Sequence, residues 1–240
     1  MNLDATRTVR DIAVEHPNAT RLFEKLGIDY CCGGGKSLAD ACSAARLSTD
    51  DVLKSLAEAV APAADASADW AQGELADLAH HIVNKHHNYV RNELPRLDQL
   101  MAKVASVHGQ RHPELLDMQN DLRGLGQELM THMMKEEHIL FPYIAEMEAT
   151  VRSGRRVRPP MFGTVKNPVQ MMIMEHDAAG DSLRRMREAS DGFTAPADAC
   201  ISFQTLYRAL LEFEADLHQH IHLENNILFP RAIEMEAASQ

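Results

Sequence analysis

The sequence has few aromatic residues and no long apolar run. Phe, Trp and Tyr make up 5% of the 240 residues, and no apolar segment approaches the roughly 20 residues that a membrane-spanning helix requires. The first ten residues also lack the apolar core of a secretory signal. We therefore expect a cytoplasmic protein without a membrane partner.

Cysteine is also scarce. The four cysteines are Cys31, Cys32, Cys42 and Cys200. Their spacing matches neither a disulfide framework nor a paired zinc knuckle. This pattern agrees with a reducing compartment and argues against a protein stapled by cross-links.

Basic residues are outnumbered by acidic ones. Lys and Arg total 24 against 35 Asp and Glu, so the formal net charge is −11. Such an acidic surface repels phosphate backbones and anionic lipids, which argues against nucleic-acid partners. Hydrophobic residues reach 45%, enough for a core, and the abundance of Ala, Leu, Met, Glu and Arg favours helices over strands. We predict an all-α protein.

One low-complexity segment divides the chain. Residues 61–69 read APAADASAD, which is small, polar and without apolar periodicity, as in a linker. We expect a small helical domain at 1–60, in which Gly33–Gly35 interrupt regular structure and allow unusual backbone angles. At 70–240 the apolar periodicity predicts an antiparallel four-helix bundle. Its helices are expected at about 69–106, 113–152, 167–191 and from 195 almost to the end.

The larger domain contains an internal repeat. HMMKEEHILFPYIAEMEA at 132–149 returns as HIHLENNILFPRAIEMEA at 220–237, with ten of 18 positions identical and no gap. The repeat aligns one His–Glu pair with another, namely His132 and Glu136 with His220 and Glu224. His87 and His176 mark the same duplication in the preceding helices. Two copies are too few for a solenoid and suggest a two-fold bundle that shares something on its axis.

Six ionisable residues fall in the core-facing stripes of the four helices. Steps of three and four residues place each of them in line with apolar neighbours on one helix face. They are His87, His132, Glu136, His176, His220 and Glu224. An unpaired carboxylate in an apolar interior costs several kcal/mol or takes up a proton, and two facing carboxylates cost more.

Metal ions would remove this cost. His and Glu at i and i+4 point the same way and can reach one ion, and a carboxylate can bridge two ions. Four His and two Glu supply two His per metal with both Glu as bridges, as in carboxylate di-metal bundles. Such ligands suit iron, manganese, zinc or copper, and carboxylate bridges in a helical bundle favour iron or manganese. The alternative is a set of ordinary core histidines satisfied by hydrogen bonds.

Other histidines are expected to be solvated or to lie outside the ligand sphere. They are His80, His81, His86, His108, His112, His138, His218 and His222. Glu175, next to His176, is a further candidate for the pocket as a polar group or terminal ligand, with a solvated position as the alternative. Pro142 and Pro230 follow each Glu by six residues and should disturb their helices.

The motifs resemble those of a known family. HMMKEEHILFP at 132–142, EHD at 175–177 and HIHLENNILFP at 220–230 are similar to the repair-of-iron-centres proteins, the RIC, ScdA or YtfE family. DYCCGGG at 29–35 resembles their amino-terminal domain, so the resemblance covers nearly the whole chain. It implies a hemerythrin-like bundle in which the same six residues hold two iron ions per chain, bridged by oxo and carboxylate groups. Manganese is the alternative metal.

The resemblance also implies a function. Members of the family are implicated in restoring iron–sulfur clusters damaged by nitric oxide or peroxide, by supplying iron, by handling nitric oxide, or by both. The expected partners are therefore iron–sulfur proteins with damaged clusters, with nitric oxide or oxygen species as small ligands and a homodimer as the assembly. Cys31 and Cys32 would serve redox chemistry or iron transfer as exposed thiolates, with a structural turn as the alternative.

Two other functions stay open. One is a di-iron enzyme that reduces nitric oxide or peroxide, and the other is a sensor of oxygen or nitric oxide or an iron store. Cys42 and Cys200 receive no role.

Overall fold

The computed structural model of the chain describes residues 3–59 and 70–239. Across these ranges the regular elements are helices, joined by one isolated antiparallel bridge between Thr8 and Ser37. The predicted linker at 61–69 lies outside the described residues. Among the helices described, none is both long and apolar enough to cross a bilayer.

Four short helices build the front domain. They are α1 Val9–Glu15, α2 Ala19–Leu26, α3 Leu38–Ala44 and α4 Thr49–Ala59. The hydroxyls of Thr8 and Ser37 cap α1 and α3 by accepting the N–H groups of Asp11 and Asp40. Gly27 ends α2 in the left-handed conformation, with φ of 67°, as a C-terminal cap requires.

Two of the glycines at 33–35 serve close approach rather than unusual backbone angles. None of the three has a positive φ, so the expectation of unusual angles is wrong. A Cβ on Gly34 would lie 2.5 Å from the carbonyl oxygen of Tyr30, and one on Gly33 would lie 2.8 Å from Asp29 Oδ2. The N–H of Arg10 donates to the carbonyl of Gly34 at 2.7 Å. The loop after the two cysteines is therefore tied to α1, and side chains there would break the fit.

Four long helices form the bundle, and three of them contain a π-helical turn. The first is α5 Leu75–Ile82, a π turn Val83–His87 and α6 Asn88–His108. The second is α7 Glu114–Lys135, a π turn Glu136–Leu140 and α8 Phe141–Arg152. The third is α9 Lys166–Ala189, and the fourth is α10 Ile201–Leu223, a π turn Glu224–Leu228 and α11 Phe229–Ala238. Helix α7 packs against α6 and α9, α10 against α6, and α11 against α8. The predicted all-α architecture is confirmed.

Two helix starts differ from the sequence-based boundaries. The first long helix begins at Leu75 instead of near 69, and the fourth begins at Ile201 instead of near 195. Pro196 lies in a turn, closed by the N–H of Ala199 donating to its carbonyl at 3.0 Å, ahead of the helix. Asn167 lies within the third helix, and its side-chain amide donates to the carbonyl of Phe162 at 2.7 Å.

Carboxylates from the repeat fix the starts of the first and third long helices. Glu148 accepts the N–H groups of Leu75 and Ala76 at 2.8 and 2.9 Å. Its repeat equivalent, Glu236, accepts the N–H of Val165 at 3.0 Å, just ahead of α9. Both carboxylates satisfy orphan donors at a helix N-terminus, where negative charge is also favoured. The second glutamate of each EMEA motif, at 148 and 236, therefore caps a neighbouring helix.

The bundle core is divided into two apolar clusters. One cluster includes Leu97, Leu122, Leu129, Leu183 and Phe213. The other includes Ile82, Leu140, Ile144, Met172 and Phe229. The six ionisable residues of the core-facing stripes occupy the layer between them, because along each helix they fall between members of the two clusters. The apolar interior of the bundle is thus interrupted by one polar layer.

Replacing Glu148 tests whether its carboxylate stabilises the start of the first long helix. Glu148→Gln is expected to lower the free energy of unfolding by about 1 kcal/mol, because the amide keeps one acceptor but turns an NH₂ toward a backbone N–H. Glu146→Gln, at an exposed position of the same helix, should change it by less than about 0.5 kcal/mol. Urea unfolding followed by circular dichroism measures both variants. Equal losses would contradict the capping role.

Candidate metal centre

The π turns place ligand candidates at their ends. His87 closes the first π turn, while Glu136 and Glu224 open the second and third. The N–H groups of Phe141 and Phe229 donate to the carbonyls of Glu136 and Glu224, five residues back. The wide turns precede the prolines at 142 and 230, which have no N–H to continue an α-helical ladder. The helices run on through both prolines, and the disturbance takes the form of a π turn.

The six predicted side chains converge in the polar layer of the bundle. Their ligand atoms form two groups, and within each group all atoms lie within 4.8 Å of one another. The first group is His87, Glu136, His220 and Glu224, and the second is His132, Glu136, His176 and Glu224. All six residues are buried, and both glutamates are 0% exposed. The structure therefore brings together every residue of the predicted ligand set.

Each glutamate offers a different oxygen to each group. Glu224 Oε1 lies 3.0 Å from His220 Nε2, and Glu224 Oε2 lies 3.0 Å from His176 Nε2. Glu136 repeats this with its two oxygens, at 3.2 Å from His132 Nε2 and 3.4 Å from His87 Nε2. The two carboxylates thus stand between the histidine pairs and face both.

Several carboxylate oxygens in the polar layer are buried without a hydrogen-bond partner. Within the described residues, neither oxygen of Glu136 has a hydrogen-bond donor, and Glu224 Oε2 has none. Two fully buried carboxylates in this condition are strongly unfavourable unless positive charge lies between them. A donor set of imidazole nitrogens and carboxylate oxygens suits iron or manganese. The residues present therefore fit a pair of multivalent cations.

Electrostatics within the layer lead to the same conclusion. Burial lowers the pKa of His87, but the nearby carboxylates of Glu136 and Glu224 outweigh burial and raise it to about 10. For His132, burial is likewise outweighed, chiefly by the charge of Glu136, and the pKa rises to about 9. Burial raises the pKa of Glu224, yet His220 and the other imidazoles hold it well below its ordinary value. The layer keeps its carboxylates ionised and attracts positive charge.

Outer partners orient three of the four imidazoles. The Nδ1–H of His87 donates to Glu137 Oε1 at 2.6 Å, and that of His176 donates to Asn225 Oδ1 at 2.8 Å. Glu137 and Asn225 were missed from the sequence, although they occupy the same repeat position, one residue after each central glutamate. Such partners fix the ring so that Nε2 points into the centre.

Glu175 belongs to this outer layer. Its Oε2 accepts from the Nδ1–H of His132 at 2.8 Å, and its other oxygen pairs with Lys135. It lies in neither of the two ligand groups. Of the roles considered from the sequence, the structure therefore favours a polar group that orients the ligand candidate His132 over a terminal ligand.

Comparison with known proteins agrees with this geometry. The hemerythrin HHE cation binding domain matches residues 78–232, and a domain of unknown function, ScdA_N, matches residues 5–60. A probable iron–sulfur cluster repair protein of Haemophilus influenzae is 36% identical over 230 residues, covering 95% of this chain and 97% of the relative. The chain belongs to the hemerythrin HHE family. The iron–sulfur cluster repair protein YtfE of Pectobacterium atrosepticum is also 36% identical, over 96% of this chain and 98% of its own length.

Three other histidines of this hemerythrin-type bundle, His86, His108 and His222, are buried rather than solvated, and they lie outside both ligand groups, which is the other position we expected for them. His86 donates from Nδ1 to Asp216 at 2.9 Å and stacks on His220. His108 lies far from the centre, with Nε2 3.2 Å from Cys200 Sγ. His222 accepts from the side chain of Asn226 at 2.9 Å. Of these, only His86 borders a ligand candidate through its side chain.

The cysteine pair lies where the front domain meets the hemerythrin bundle. Cys31 is 5% exposed and packs into the bundle core. A hydrogen bond with Cys32, together with burial, raises the pKa of the Cys31 thiol well above its ordinary value. The expectation of exposed thiolates is therefore wrong for Cys31. Cys32 is half-buried, and its Sγ lies 3.7 Å from the carbonyl oxygen of His176.

Further contacts hold the front domain at this place. Asn226 lies in the third π turn, two residues after Glu224. Its side-chain amide donates to the carbonyl of Tyr30 at 3.0 Å. The Tyr30 ring packs edge-on against His222, with centroids 5.3 Å apart. A cavity of about 510 Å³ between the domains is lined by Cys31, Cys32, Asp29, Lys36, Asp177 and His218, among others. Cys32 thus faces open space on one side and the helix of a ligand candidate on the other.

Removing one imidazole tests the ligand set. His132→Ala should lower the metal content of purified protein sharply, because one group loses one of its four members. His138→Ala, an exposed position six residues further along, serves as the control and should keep full metal content. Metal analysis by mass spectrometry, with circular dichroism to verify folding, measures both. Full metal content in folded His132→Ala would contradict the assignment.

Proposed function

We propose that this protein repairs iron–sulfur clusters damaged by nitrosative or oxidative stress, as a donor of iron from a di-iron centre. The observation that carries the proposal is the pair of buried glutamates, each facing two histidine pairs through separate oxygens. The names of the relatives, which are iron–sulfur cluster repair proteins, support it. The division into 1–60 and 70–240 around a linker at 61–69 is part of the proposal.

Six residues would hold the two iron ions. His87 and His220 would bind one ion, His132 and His176 the other, and the central glutamates at 136 and 224 would bridge them. Manganese is the alternative metal. When bound, such a pair supplies exchangeable, redox-active iron. The chain itself contributes a dry site, fixed ring orientations and two carboxylates whose negative charge keeps the ions together.

The cysteine pair would act in transfer. Cys32 lines the cavity and is placed over helix α9, so its sulfur can meet an ion or a thiol-reactive group that enters there. The Cys31 thiol donates to Asp29 Oδ1 at 3.3 Å and stays protonated because of burial and its neighbour. The two sulfurs therefore have different roles, in which Cys32 is the accessible group and Cys31 holds the loop in place.

The proposed partners follow from this role. They are iron–sulfur proteins with damaged clusters, with nitric oxide or oxygen species as small ligands of the centre. Assembly as a homodimer remains a prediction from the resemblance. The bundle surface that would meet a damaged protein is expected on the side of the Cys32 cavity, because the front domain and the centre meet there.

A purified repair reaction tests the function. The iron-loaded protein is incubated without oxygen with a dehydratase whose cluster has been destroyed by nitric oxide, and activity and protein-bound iron are followed together. Repair by donation should restore the dehydratase while the donor loses iron in proportion. Sustained consumption of nitric oxide with a reductant and no iron loss would instead identify an enzyme. Reversible binding alone would identify a sensor.

Cysteine variants test the transfer step. Cys32→Ser should leave metal content unchanged, since the sulfur is in neither ligand group, but should lower the rate of dehydratase reactivation severalfold. Cys200→Ser, at an exposed position in the bundle, is the matched control and should repair at the normal rate. Unchanged repair by Cys32→Ser would remove the cysteine pair from the mechanism.

A further inference from the structure

The two halves of the repeat support their imidazoles unequally. Glu137 and Asn225 accept hydrogen bonds from Nδ1 of His87 and His176, and they occupy equivalent repeat positions. Glu175, the residue before His176, accepts one from Nδ1 of His132. By the same repeat relation, the residue before His87 should accept one from Nδ1 of His220. That residue is His86.

His86 does not provide the missing hydrogen bond. Its ring stacks on that of His220, with centroids 5.7 Å apart and an interplanar angle of 14°. Its Nδ1 is taken by Asp216 Oδ1 at 2.9 Å. In the part of the chain that the structure describes, His86 Nε2 and His220 Nδ1 are both buried without a hydrogen-bond partner. Two stacked rings cannot satisfy each other, because neither nitrogen points at the other's lone pair.

We infer that the ion between His87 and His220 is the exchangeable one of the pair, and that His86 sets its lability. This inference rests on the proposed function. The group with His132 and His176 has two outer partners, Glu175 and Asn225, whereas the group with His87 and His220 has only Glu137 among the described residues. Loss of one such partner typically lowers metal affinity 10- to 100-fold.

A second cavity provides a route for this ion. It has a volume of about 1280 Å³, lies between the front domain and the bundle, and is lined by His86 and Asp216. Its wall therefore reaches the ring that stacks on His220. Glu24 and Ala215 line both this cavity and the smaller one that contains Cys32. An ion released beside His220 would emerge next to the space that the cysteine faces.

Release of iron to a chelator tests the inference directly. Wild-type protein loaded with two ions should release them in two phases of equal size. His86→Gln should slow the fast phase about 10-fold or more, because a glutamine can accept from His220 Nδ1 while donating to Asp216, as Asn225 does for His176. His80→Gln, an exposed histidine of the same helix, is the control and should leave both phases unchanged. A single phase in wild type, or unchanged rates in folded His86→Gln, overturns the inference.

The opposite half supplies an independent variant. Glu175→Ala removes the outer partner of His132 and should accelerate the slow phase, so that the two phases approach each other. One equivalent of Zn²⁺, used as a diamagnetic probe, should first shift the imidazole nitrogen resonances of His132 and His176. Earlier shifts at His87 and His220 would overturn the assignment of the labile position.

The repair reaction separates this inference from the proposed function. If two phases are observed and no dehydratase is reactivated, the proposed function fails and the unequal support of the ions stands. If reactivation occurs but iron leaves in one phase, the function stands and the inference fails. If both the proposed function and the inference are correct, the donor should lose about one iron ion per chain during repair, on the time scale of the fast phase.

Discussion

Two carboxylates without access to water determine the organisation of the whole bundle. Glu136 and Glu224 are 0% exposed and face each other in a layer enclosed by apolar side chains. Desolvation of this kind is tolerable only when cations or protonated groups neutralise the charge. The four imidazoles, their outer partners and the placement of the layer between two apolar clusters all serve that condition. The family membership of the chain is consistent with this arrangement.

The duplicated segment combines several structural roles in 18 residues. Each copy carries a ligand candidate, a central glutamate, an outer partner, a proline that follows a π turn, and a glutamate that caps another helix. The cap ties together the two helices of each half, because Glu148 on the second long helix satisfies the N-terminus of the first, and Glu236 on the fourth does the same for the third. Positions at which the two halves differ therefore show where the two halves of the site differ in support. The main ones are Asn225, which takes the repeat position of Glu137, and His86, which takes that of Glu175.

Much of the fold and the central residues could be predicted from the sequence. Apolar periodicity locates the four long helices, and the repeat register selects the six residues that converge in the polar layer. The start of the first long helix was missed because its cap, Glu148 at Leu75, comes from a distant residue that the local sequence does not reveal. The π turns were missed because apolar periodicity does not separate a four-residue from a five-residue step over one turn. The burial of Cys31 depends on how the front domain packs on the bundle, which no local pattern encodes.

The polar layer that separates the two apolar clusters has a mechanical consequence. Each cluster is held together by its own apolar contacts, whereas the side chains that meet within the layer are mainly groups that need neutralisation. An ion bound in that layer would therefore cross-link the two ends of the bundle. If the chain gives up iron as proposed, its two ends would be held less firmly, and proteases would cleave the emptied chain faster than the loaded one.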